Sequence, residues 1–313
     1  MHRIQKWADK WLVKFNPKKT ESMIISRKKD PDHHPSLIFD SNVIKTVESH
    51  KHLGLHFSSD GSWNIQIDGI IAKASVRLNM LRRLKFKAER KTLEVMYFSY
   101  VLPILEYADV IWDNCSEYLK DRLEQINYEA ARIVTGATKL TSLQILLKET
   151  GWETLRERRK NHKLILFHQM ANNNSPAYLS NLVPTNFGQS HPYGTRNAGN
   201  VPHMPARTNY YHNSFLPSTV RLWNEIPINI RNSSLYIFKK YLKKTWVVPK
   251  YFYSGSRLGQ ILHTRIRTES SGLNEHLYRK KLVTDPFCEC RQIETSEHFL
   301  LRCPQYQLLR EFM

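Results

Sequence analysis

The chain has 313 residues, 41% of them hydrophobic and 24% charged, which is enough for two or three packed modules. Forty-seven Lys and Arg against twenty-eight Asp and Glu leave a net charge of +19. Such a field favours a polyanionic partner, with RNA or DNA first, over an acidic protein of ordinary size. No apolar run approaches about eighteen residues, and no lipidation or secretory signal is evident, so neither a membrane partner nor secretion is expected. The expected setting is intracellular, nuclear or cytoplasmic.

Residues 1–15 place Ile4, Trp7, Ala8, Trp11, Leu12 and Phe15 at helical spacing, which predicts an amphipathic helix. Short β-rich runs follow at 21–26, 36–39, 43–44 and 51–57, separated by Pro31, Pro35 and Asp40-Ser41-Asn42. They predict a hairpin and a further strand. From Trp63 the pattern turns helical, with Ile67, Ile70, Ile71, Ala74, Leu78, Leu81 and Leu84 on one stripe. Lys73, Arg77, Arg82, Arg83 and Lys85 are expected on the opposite face.

Helical patterning continues from Thr92 to about Gly136, broken at Pro103 and at Asp113-Asn-Cys-Ser116, and again from Ser142 to Asn172. The second block carries Arg156, Arg158, Arg159, Lys160 and Lys163, with Glu149, Glu153 and Glu157 near enough to pair with them. Residues 173–232 read as irregular, with a short helix around Leu216–Glu225, and a basic aromatic helix is expected over Ser234–Trp246. Trp7, Trp11, Trp63, Trp112 and Trp223 fall on apolar stripes and are expected in cores. The fold class expected is mainly α, with a small antiparallel β-hairpin region near the N-terminus and a small zinc-knuckle module at the C-terminus. Its parts are a strand-bearing region over 1–62, a helical region over 63–140, a helical and irregular region over 141–250 and a basic segment with the knuckle over 251–313.

The knuckle reading rests on Cys288, Cys290, His298 and Cys303, spaced C-x-C-x7-H-x4-C. Three thiolates and one imidazole make a ligand set for one tetrahedral Zn²⁺, the alternative being a chance cluster of thiols. A segment this short buries little, so a metal would offset its ordering entropy. With every coordination position held by protein, such an ion is structural. The single residue between the first two cysteines demands a tight loop. Phe299 is expected to close a small core over the metal, while Phe287, beside Arg291, Arg302 and Arg310, is open to stacking an unpaired base.

Read in order, Trp7, Trp11-Leu12, Phe15-Asn16, Lys19-Thr20 and Met23, then His52-Leu53-Gly54-Leu55 and Ser62-Trp63, resemble the part of a non-LTR retrotransposon reverse transcriptase just after its catalytic aspartates. Tyr97, Tyr100-Val-Leu-Pro103 and Tyr107-Ala-Asp-Val-Ile-Trp112 resemble the thumb, continued by Leu123-Glu124, Ala130-Ala131-Arg132 and Thr135-Gly136. Tyr193-Gly-Thr-Arg-Asn197, Asn213-Ser-Phe-Leu-Pro217, Trp223-Asn224 and Phe238-Lys239 resemble the post-thumb region of jockey- and CR1-like elements. His263-Thr-Arg-Ile-Arg-Thr268 and Leu273-Asn-Glu-His-Leu277 lead into the knuckle that ends such reading frames.

The resemblance implies a palm remnant over 1–62, a thumb-like region over 63–140 and a connection region over 141–250. It puts Gly54 at the primer grip, where a residue without Cβ lets backbone approach the primer end, although a plain strand with a bulged Gly gives the same sequence. Lys18 and Lys19 lie at the family's Asn-x-x-Lys-Thr motif. It also implies that the basic face of Lys73, Arg77, Arg82, Arg83 and Lys85 tracks a duplex backbone, against which stands a merely solvated face.

Polymerase chemistry needs converging carboxylates on Mg²⁺ ions. Asp30 and Asp32 sit in a Lys- and Pro-rich loop, and Asp109 and Asp113 beside Trp112, so no such set is apparent. The family's aspartates are expected upstream of Met1, with Mg²⁺ belonging only to the intact enzyme. The expectation is thus a truncated reverse transcriptase (RNA-directed DNA polymerase) fragment, not an enzyme on its own, binding RNA and DNA with low sequence specificity. The alternative is a co-opted host RNA- or DNA-binding protein without enzymatic activity.

Overall fold

A computed structural model of the chain describes residues 2–28, 35–39, 41–190, 198–243 and 247–308. The expectations at Asp30, Pro31, Asp32, Asp40, residues 193–197, Trp246 and Arg310 lie outside them. The fold is mainly helical, with three two-stranded sheets near the N-terminus and a Cys/His cluster near the C-terminus. Two compact units are formed, Met1–Ala72 with Cys115–Leu119, and Lys73–Asn114 with Lys120–Met313.

In the first unit the opening helix spans His2–Trp11 and stops short of Phe15. Leu12 adopts a left-handed φ of 53°, and the Val13 amide donates to the Ala8 carbonyl at 3.0 Å. This Schellman closure satisfies the last carbonyls but puts a leucine where glycine is usual. Ala8 is buried, yet Trp7 is 51% and Trp11 61% exposed, which corrects the core placement of these two rings. Trp63, Trp112 and Trp223 are buried as expected.

The strand region is less uniform than a hairpin plus a strand. Ile38–Phe39 pairs antiparallel with Asn42–Val43, whereas Glu21–Ser22 runs parallel to Lys45–Thr46. The best-formed pair joins Ser49–His52 antiparallel to Leu55–Ser58, with Leu53 and Gly54 as the connecting residues. Both have positive φ, 45° and 83°, as a two-residue type I′ turn requires. Next to it the His56 amide donates to Gln66 Oε1 at 2.9 Å, and Phe57 packs on Trp63 with ring centroids 5.6 Å apart.

The second unit begins within the long helix Asn64–Leu84, whose Ala74, Leu78 and Leu81 are buried as its stripe predicts. Helix Arg90–Met96 passes through a wider π-turn, Tyr97–Val101, into Leu102–Glu106. Pro103 therefore sits in the first turn of a fresh helical segment, where its missing N–H costs little, and the chain is redirected rather than interrupted. Asp109–Trp112 and Glu117–Thr135 follow.

The expected helix from Ser142 is two helices. Leu143–Thr150 is capped by Ser142 and ends at Gly151 with φ 71°, and Leu155–Ala171 is capped by Thr154, whose hydroxyl accepts from the Glu157 amide at 3.1 Å. The second helix packs on Phe215–Asn224 and Leu235–Leu242. Between them Leu164, Phe167, Val201, Val220, Trp223, Ile226 and Phe238 close a core. Each such side chain contributes roughly 1.5–3 kcal/mol on burial.

The stretches 63–140, 141–250 and 251–313 all contribute to this unit. Gly136, at φ 78°, ends helix Glu117–Thr135 directly against helix Arg257–Arg267, and a Cβ there would lie 2.4 Å from Ile261 Cγ1. Arg257 seals the same junction. Its guanidinium donates to the carbonyls of Lys85, Val134 and Ile133 at 2.7, 2.8 and 2.9 Å, capping carbonyls at the ends of two helical stretches. Burial, with Arg90 nearby, brings its pKa down to about 10.

Candidate metal centre and cationic surfaces

The cysteine-rich segment is built by two tight turns. Cys288 N–H donates to Gln292 O at 2.8 Å and Arg291 N–H to Cys288 O at 2.8 Å, with Arg291 at φ 67°. This closure turns the chain sharply enough to bring Cys288 and Cys290 to one centre across a single residue. The second turn is the π-helical His298–Arg302, where Cys303 N–H donates to His298 O at 2.7 Å and returns the last thiol towards the imidazole.

The four ligand atoms lie within 4.8 Å of one another. Cys288 Sγ is 3.7 Å and Cys290 Sγ 3.9 Å from Cys303 Sγ, and Cys290 Sγ is 3.1 Å from His298 Nε2. These separations are far beyond a disulfide bond. They match the edges of a coordination tetrahedron, since metal–sulfur bonds of about 2.3 Å put two thiolates about 3.8 Å apart. The cluster can hold a metal ion, and among the described residues no other group of three or more His, Cys, Asp and Glu does so.

The surroundings hold this frame from outside. Asn274 donates from its amide to Glu294 Oε2 and from Nδ2 to Phe287 O, both at 2.7 Å, fastening the segment to helix Asn274–Arg279. The buried His276 bridges Ser271 Oγ at 2.8 Å and Ser296 Oγ at 3.2 Å, and burial keeps its pKa below the ordinary histidine value. Phe299 packs edge-on to Tyr306 with centroids 4.7 Å apart, while Phe287 is 49% exposed. Arg302 pairs with Glu297.

The five cations around helix Asn64–Leu84 do not form one face. At about 100° per residue Arg82 projects about 180° from Lys73, so the two flank the helix rather than share a side. Arg82 binds Glu129 at 3.1 Å. Lys85 lies beyond the helix end in a turn, half-buried, where burial and the charge of Arg265 lower its pKa. Lys73, Arg77 and Arg83 are exposed and have no ion-pair partner among the described residues.

The basic run of helix Leu155–Ala171 is mostly neutralised, and several of its partners are carboxylates distant in sequence. Arg156 pairs with Asp121 at 2.7 Å, Arg158 with Glu106, and Arg159 and Lys163 with Asp113 at 2.9 and 2.5 Å. His162 Nδ1 lies 2.7 Å from Asp109 Oδ2. Arg159 also lies over the ring of the buried Trp112, with its Cζ 5.6 Å from the centroid. Asp109, buried, and Asp113, partly buried, are thus partners of His162 and of Arg159 and Lys163. Glu149 lies in another network, with Arg90 and Arg267, whose members are dozens of residues apart and carry no local sequence signal.

Gly54 occupies the type I′ turn, not a bulge. Its glycine is thereby accounted for by backbone conformation. Asn16 organises the Lys18–Lys19 segment, its Oδ1 accepting from the Lys18 amide and its carbonyl from Thr20 Oγ1, both at 3.0 Å. No helix among the described residues is long and apolar enough to cross a membrane. Comparison with known proteins finds no protein family, no curated protein and no solved structure that matches this chain.

Proposed function

We propose that the chain is a nucleic-acid-binding protein that corresponds to the post-catalytic part of a non-LTR retrotransposon reverse transcriptase, with no polymerase chemistry of its own. The observation that carries the nucleic-acid-binding reading is the uncompensated charge, while the correspondence to that family rests on the order of the sequence motifs alone. With a net +19 overall, the exposed Lys73, Arg77 and Arg83 have no carboxylate partner among the described residues, so their charge is available to phosphates. Arg82 and the run Arg156–Arg159 drop out of the binding surface, because intramolecular carboxylates already hold them.

The ion in the terminal cluster is Zn²⁺ in this reading, and its role is structural. Three thiolates and one imidazole suit zinc better than Mg²⁺ or Ca²⁺, which prefer oxygen. The metal would supply folding energy to a segment with few buried apolar side chains, and it leaves no position for an activated water. Polymerase activity would need a converging carboxylate set, and Asp109 and Asp113 are engaged with His162, Arg159 and Lys163 instead.

Anisotropy titrations of labelled RNA and DNA across a salt series test the reading. Affinity should fall steeply with salt for both polymers, with little sequence preference, as counterions are released. The triple substitution Lys73→Ala, Arg77→Ala and Arg83→Ala should weaken binding and flatten the logarithmic salt slope by about 0.9 for each phosphate that is no longer neutralised. Undetectable binding by the wild-type chain at low salt would remove the function.

A further inference from the structure

Two neighbouring cavities in the second unit have Glu153, Arg158 and Lys243 in common and so form one groove. One, of about 260 Å³, is walled by Tyr97, Phe98 and Trp152. The other, of about 270 Å³, is walled by His162, Lys239 and Leu242. The groove has an aromatic end and a cationic end.

The aromatic end is preorganised. Tyr97 stacks on Trp152 with centroids 4.2 Å apart and planes 10° apart, and Phe98 meets Trp152 edge-on at 5.3 Å. Tyr97 is buried and anchored, its hydroxyl donating to Asn127 Oδ1 at 2.7 Å. Phe98, by contrast, stays 43% exposed and Trp152 half-buried, so the cluster offers ring surface to the cavity. At the other end Arg158 is matched by Glu106, whereas Lys239 and Lys243 are exposed and have no ion-pair partner among the described residues. A rigid π-surface beside free ammonium groups suits a planar ring that carries phosphate. Glu153 adds an acceptor that would repel phosphate but can accept a hydrogen bond from a base N–H, such as N3–H of thymine.

We infer that this groove seats one unpaired base of single-stranded RNA or DNA against Phe98 and Trp152, with the flanking phosphates on Lys239 and Lys243. The inference rests on the nucleic-acid reading above and gives the single strand a place in it. Duplex is excluded from the aromatic end because its bases are stacked on one another, and stacking on protein rings needs a free base face.

The test compares, on the full chain, a thymidine oligonucleotide of about a dozen residues with an abasic strand of equal length and charge. The wild type should bind the thymidine strand about tenfold more tightly, the difference being the stacked base. Phe98→Ala should erase that preference while leaving abasic affinity unchanged. Lys239→Ala with Lys243→Ala should weaken both strands alike. A 2-aminopurine placed in the strand should be quenched on binding the wild-type chain, a readout that needs no variant.

Wild-type binding without base preference, absence of quenching, or a Phe98→Ala protein of native circular dichroism that keeps the preference would each overturn the groove and leave general nucleic-acid binding standing. Failure of the wild type to bind either strand at low salt would overturn both.

Discussion

The Glu149 carboxylate is held between two guanidiniums, 2.8 Å from Arg90 Nη1 and 2.6 Å from Arg267 Nη2. Arg90 is fully buried and donates also to the Glu149 carbonyl at 2.6 Å, while Arg267 lies 3.8 Å over the Phe252 ring. Three helices, Arg90–Met96, Leu143–Thr150 and Arg257–Arg267, thereby meet at one carboxylate. Beside it Tyr253 donates to Glu94 at 2.9 Å, and burial with the Glu94 charge pushes its pKa up to about 12.

Removing Glu149 strips the buried Arg90 of its nearer countercharge and leaves it with Glu94, 3.3 Å from its Nε. Glu149→Ala should therefore cost about 3–5 kcal/mol, far above the about 1 kcal/mol expected for the exposed Arg279, which pairs with Glu269 and Glu275. Urea denaturation of Glu149→Ala and Arg279→Ala measures the contrast. A similar small loss in both would show that the triad contributes no more than a surface pair.

Stability should depend on pH through His162 and Asp109. The hydrogen bond to Asp109 raises the His162 pKa above 6.5, so its contribution is complete below that value and is lost as pH rises through the raised folded value. Burial raises the Asp109 pKa despite its partner, so ionising this carboxyl also disfavours the fold as pH rises. Thermal melts between about pH 6 and about pH 9 should show declining stability in the wild type. In His162→Gln the decline should be shallower, and an identical slope in both proteins would exclude the pair as its source.

The terminal cluster should bind one zinc per chain, measured by elemental analysis of protein purified without chelator. Cys290→Ser and His298→Ala should abolish it, since each removes one corner of the tetrahedron. Cys115→Ser, at the one cysteine outside the cluster, should leave the stoichiometry unchanged. Metal-free wild-type protein would refute the site.

Gly136→Ala should destabilise by more than the about 1 kcal/mol of a left-handed alanine alone, because the new methyl meets Ile261 at 2.4 Å. Pairing it with Ile261→Ala should recover the steric part, and denaturation of the double mutant relative to the single mutants separates the two contributions.

Gly54→Ala discriminates two readings of the hairpin. A turn glycine predicts a loss of about 1 kcal/mol in stability with unchanged nucleic-acid affinity, and a backbone-approach role predicts a loss of affinity as well. Denaturation and anisotropy on the same preparation decide between them.

The sequence by itself determined what depends on local spacing. The stripe from Ile67 to Leu81 specified a helix with one buried face, because a 3.6-residue period aligns those side chains wherever the helix docks. The spacing of Cys288, Cys290, His298 and Cys303 specified their convergence, because short loops leave the four side chains few ways to avoid one another. Tertiary structure decided the rest. Arg156, Arg158 and Arg159 find partners tens of residues away, and a surface tryptophan such as Trp11 has the same local pattern as the buried Trp63. Charge pairing and burial depend on which elements pack together, and that packing alone sets which of the many cations remain free to meet a phosphate.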